Sequence, residues 1–144
     1  MVKHSASLHP LLMHPVIRWL AVLMWLGVTC AFLLLPGEDS IVEDAHNFIG
    51  GTEVADWIGH VVLFAVLAGL LYGALCCHIA PPAALGATIW ITIVLGAAIE
   101  AAQLLIDSRG ASVLDAAGNW LGMALFVIWL WRRGQAPAHH RQNR

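Results

Sequence analysis

Glu100, Gln103, Asp115 and Asn119 interrupt apolar segments of membrane-spanning length, and Arg109 lies in the link between those segments. A charged side chain within hydrocarbon costs about 2.5–3.5 kcal/mol on insertion scales, so intramembrane carboxylates face a bundle interior or cavity and mark function. Asp56 and His60 open another apolar run and add a second polar pair. Arg109 offers a planar fork suited to phosphate or carboxylate. His60 can exchange protons near neutral pH, and Glu100 in a site of low dielectric can act as a general base. An arginine, a histidine and carboxylates together suit an amphipathic ligand with a polar head and a lipid tail. Ser112 lacks a base and an orienting group at nucleophile spacing, so catalytic residues are not assigned and enzymatic activity is the weaker expectation. No ligand spacing among Asp56, His60, Glu100 and Asp115 specifies a metal, and His60 is the one histidine within a span, which argues against haem. No metal and no cofactor are expected.

The elements that must position these groups follow from composition. The chain has 144 residues, 60% of them hydrophobic and 11% charged, with a mean hydropathy of +0.77. That apolar excess places it among integral membrane proteins. Apolar runs cover 19–35, 57–77, 83–106 and 113–131. Each is near the ~20 residues that a helix needs to cross a ~30 Å hydrocarbon core. The expected fold is therefore all-α, a single four-helix membrane domain over 19–131, with tails at 1–18 and 132–144. The first run has a basic flank but no small-x-small cleavage site, so it reads as a retained helix rather than a signal peptide.

Charge sets the expected orientation. Lys3, Arg18, Arg132, Arg133, Arg141 and Arg144 flank the first and last spans, whereas Glu38, Asp39, Glu43, Asp44, Glu53 and Asp56 precede the second span without a Lys or Arg among them. The positive-inside rule then predicts both termini in the cytoplasm. Under that topology Asp56, His60, Glu100, Gln103, Asp107, Arg109, Ser112, Asp115 and Asn119 fall in one slab near the outer leaflet. The basic C-terminal tail reads as an anchor at the anionic inner leaflet. Cys30, Cys76 and Cys77 read as small apolar packing residues.

Helical phase supports convergence. Residues three or four apart share a face, which stacks Asp56 on His60, Glu100 on Gln103, and Asp115 on Asn119 and Gly122. Some of these positions have structural readings. Ser112 with Asp115 has the form of a capping box, worth about 1 kcal/mol. Asp56 can cap the second span, and Asn119 can bond across helices. Glu100 lies too far from either helix end to be a cap and requires a partner; Arg109 is the expected one. The pairs Gly69–Gly73 and Gly118–Gly122 have the small-xxx-small spacing that lets helices approach closely.

At these residues the chain resembles the VanZ-like family of small membrane proteins. The matching pattern is Asp56 and His60 with Phe64 on the same face, then Glu100 and Gln103, Arg109, Ser112, Asp115, Asn119 and Gly122. It covers roughly residues 56–122. Trp57 stands where that family usually has Lys, so the site has one positive charge fewer. The family is named for a protein associated with low-level resistance to the glycopeptide teicoplanin. The resemblance implies a cell-envelope role in a bacterial inner (cytoplasmic) membrane. Three expectations follow: binding or handling of an envelope lipid or lipoglycopeptide-like ligand, an accessory subunit of a larger membrane complex, or an enzyme on a lipid-linked substrate. The expected partners are membrane lipids, an amphipathic ligand and other membrane subunits, and not nucleic acid.

Overall fold

The computed structural model describes residues 14–35, 53–106 and 112–134. Every element among them is an α-helix: α1 Pro15–Leu34, α2 Glu53–Leu75, α3 Pro81–Gln103 and α4 Val113–Gly134. All four are long and apolar enough to cross a membrane. Hydrocarbon offers no water to backbone amides and carbonyls, and a helix satisfies them within the segment, which is why apolar runs of this length fold in this way. The acidic segment 36–52, residues 107–111 with Asp107 and Arg109, and the tails at 1–13 and 135–144 lie outside the described residues.

The helix ends carry local signals. α1 begins at Pro15, four residues before the apolar run at Trp19, because proline is preorganised for the first helical position. His14 caps it, its Nδ1 accepting from the Val16 amide at 3.3 Å. Pro81 and Pro82 open α3 in the same manner. Ser112 caps α4, as its spacing predicts, with Oγ accepting from the Leu114 amide at 3.1 Å.

The helices run alternately up and down. α2 packs against all three others, most extensively against α4, and α3 likewise touches α1, α2 and α4. Gly118 and Gly122 make the α2–α4 approach possible. A Cβ on Gly122 would overlap the Val61 carbonyl oxygen, and one on Gly118 would stand 3.1 Å from the Trp57 ring and 3.2 Å from His60 Cβ. Leu33, Leu63, Phe64 and Ile99 form one buried cluster, and Val22, Leu71 and Ala74 form another.

Polar bonds tie the two ends of the bundle. At the end where α1 begins, Arg18 donates to the Gly73 carbonyl at 2.6 Å, and Trp19 Nε1 donates to His78 Nε2 at 3.1 Å. Gly73 is in the last turn of α2, whose carbonyls have no intrahelical partner and whose dipole favours a cation. Midway, Trp25 Nε1 donates to the Leu63 carbonyl at 3.0 Å. The opposite end holds His60, Glu100 and Asn119.

Candidate functional site

Three helices each contribute one side chain to a connected polar chain. His60 sits on α2 one turn above Phe64, Glu100 in the last turn of α3, and Asn119 in the second turn of α4. His60 Nδ1 and Asn119 Oδ1 are 2.9 Å apart, and Asn119 Nδ2 donates to Glu100 Oε1 at 3.1 Å. Asn119 is 0% exposed and His60 is 1% exposed. Gly96, one turn before Glu100, makes room: a Cβ there would meet Asn119 Cβ and the Phe64 ring at 3.4 Å.

The pairing fixes the proton on His60. A carboxylate accepts only, so the Asn119 N–H must face Glu100 and its oxygen must face His60. Reversing the amide would set its oxygen against the carboxylate. His60 Nδ1 therefore serves as the donor to Asn119 Oδ1.

The site has more acceptors than donors. Among the described residues, Glu100 Oε2 is buried with no hydrogen-bond partner, and so is Gln103 Oε1. His60 and Asp115 act electrostatically on the Glu100 carboxylate and the Ser112 backbone lies toward it, but among the described residues no hydrogen bond of full geometry reaches Oε2. An unsatisfied buried acceptor costs about 1–3 kcal/mol, and more when charged.

The other residues singled out in the sequence divide. Gln103 is 2% exposed and turns to α1, its Nε2 donating to the Leu33 carbonyl at 2.9 Å. That carbonyl belongs to the last turn of α1 and has no intrahelical partner. Ser112 caps α4, and Asp115 lies half-buried in the same first turn, where a carboxylate complements the helix dipole. Asp56 lies half-buried one turn before His60. Arg109 is outside the described residues; within them, the donor to Glu100 is Asn119.

Sequence reasoning missed several buried polar groups. Thr88 and Thr92 extend the buried face of α3 below Gly96, with Thr92 Oγ1 donating to the Thr88 carbonyl at 2.8 Å. Thr29 on α1 is buried and bonds to the Trp25 carbonyl at 2.9 Å. The four-residue spacing of Thr88 and Thr92 with Gly96 was the available signal. Trp57, at the position where Lys was expected from the resemblance, covers Gly118 beside His60. Among the described residues no three His, Cys, Asp or Glu side chains are grouped to hold a metal ion. No family model matches the chain, and no curated protein or solved structure is significantly similar to it.

Proposed function

We propose that this protein binds or handles an envelope lipid, or a lipid-linked molecule, whose head group enters the bundle at His60, Asn119 and Glu100. The observation that carries this reading is Glu100 Oε2, a carboxylate oxygen buried without a hydrogen-bond partner among the described residues while its twin is held by Asn119. An acceptor surplus favours a head group that presents hydroxyl or ammonium donors. Trp57 in place of a Lys agrees with that preference, since a lysine would favour an anion. Phe64, Leu33 and Ile99 form apolar packing beneath the polar layer, as an amphipathic ligand requires. The residues that carry the resemblance to VanZ-like proteins are those of this layer, which supports an envelope role. In this reading the termini are cytoplasmic and the polar layer lies at the outer leaflet of a bacterial inner membrane.

The test is the lipid content of the purified protein. Wild type and Glu100→Gln are purified in mild detergent, and the lipids carried with each are extracted and compared with the bulk membrane. One donor-bearing head-group class should be enriched with wild type and fall to its bulk share with Glu100→Gln at equal protein yield. Bulk composition in both would overturn the reading. Co-purification of a stoichiometric protein partner without lipid enrichment would favour an accessory subunit.

A further inference from the structure

A second, separate site lies at the other end of the bundle. A groove of about 750 Å³ runs between α2 and α4, floored by Gly69 and walled by Phe126 and Trp129. That volume is within the roughly 300–1,000 Å³ of small-molecule pockets. Its lining is apolar except for Tyr72 and one charged side chain, Arg133, in the last turn of α4. The Arg133 guanidinium lies over the Trp129 ring, 4.1 Å from its centre. Stacking covers one face of the guanidinium and leaves its N–H edge as the recognition surface, a geometry matched to phosphate.

The groove continues across α2. A second depression of about 230 Å³ between α1 and α2 shares Gly69 and Leu70 with the first, and its one charged lining residue is Arg18. Arg133 thus stands at the rim of the first depression and Arg18, which donates to the Gly73 carbonyl, at the rim of the second, both beside the small-residue face of α2 at the end where α1 starts and α4 finishes. Basic pockets between membrane helices favour phosphate-bearing lipid head groups.

We propose that this trough is a binding site for an anionic glycerophospholipid, with an acyl chain lying along Gly69 between Phe126 and Trp129 and the phosphate on Arg133. Charge complementarity selects the occupant. The trough offers apolar length and a cation at its mouth and no acidic side chain among the residues that line it. The site is independent of the Glu100 layer and does not rest on the function proposed for it.

Arg132 is the internal control, because it has the same charge and the same place in the last turn of α4 but does not line the groove. The full-length protein in mild detergent is titrated with dioleoylphosphatidylglycerol or dioleoylphosphatidylcholine, and bound lipid is counted by native mass spectrometry. The anionic lipid should bind about fivefold better, the difference that one cation near a membrane surface gives. Arg133→Gln should abolish that preference and Arg132→Gln should keep it. Gly69→Leu, which fills the floor, should weaken binding of both lipids. Equal binding of the two lipids by wild type, or equal losses in the two arginine variants, would overturn the proposal. If Gly69→Leu does not fold, the arginine pair decides alone.

Discussion

Asn119 donates to Glu100 Oε1 across the α3–α4 contact at 3.1 Å, while its own carbonyl oxygen stands 2.9 Å from His60 Nδ1. One buried amide thereby joins an acid and a base that sit on different helices. An amide is the side chain suited to this, since it presents a donor and an acceptor on opposite edges. Asn119→Leu removes the hydrogen bonds to both His60 and Glu100. We expect it to destabilise the protein by about 2 kcal/mol or more, read by thermal unfolding in detergent. A cycle pairing Asn119→Ala with His60→Ala should give a coupling near the ~0.6 kcal/mol average for membrane hydrogen bonds, and not beyond ~1.7 kcal/mol.

The glycines of α4 should rank by what a Cβ would meet. Gly122→Ala strikes the backbone of α2, and overpacking of this kind costs about 1–3 kcal/mol. Gly118→Ala meets a side chain, Trp57, at 3.1 Å and should cost less. Gly69→Ala makes only ordinary contact with Phe126 at 3.5 Å and should be close to neutral. Melting temperatures of the three variants test the order.

Ser112 is a structural residue in this account. Ser112→Ala removes the cap on α4 and should cost about 1 kcal/mol of stability. Lipid recovered with the protein should not change. A loss of bound lipid at unchanged stability would move Ser112 into the site.

Orientation is tested by thiol labelling. Cys76 and Cys77 lie at the α2–α3 turn, on the side where α1 begins. With cytoplasmic termini they should resist an impermeant reagent in intact cells and react after permeabilisation. A cysteine introduced at Ser108 should label in intact cells. The reverse pattern would place the polar layer on the cytoplasmic side.

Much of the architecture is legible in the sequence. Span length and apolar content placed the four helices, the alternating topology set His60, Glu100 and Asn119 at one level, and three-to-four residue phase marked the face of each helix that carries them. What the sequence left open was pairing. Arg109, the expected partner of Glu100 because opposite charge is the evident signal in a sequence, lies outside the described residues; within them Asn119 reaches the carboxylate as a neutral amide. Gln103 was grouped with Glu100 by phase, yet it turns to the Leu33 carbonyl. A backbone carbonyl at a helix end has no side-chain signature, so that contact is invisible in the residue string. The same holds for the close approach at Gly122, where the small-xxx-small spacing marks a contact but not the helix that fills it.

The central claim is that the polar layer receives a ligand head group at Glu100. A high-resolution density map of the wild-type protein, reconstituted in nanodiscs of its native membrane lipids, addresses this most directly. The account predicts non-protein density within hydrogen-bond distance of Glu100 Oε2, continuous with an acyl chain reaching the bilayer, and its loss in Glu100→Gln. A layer closed over His60, Asn119 and Glu100 by packed side chains, with no such density, would contradict it.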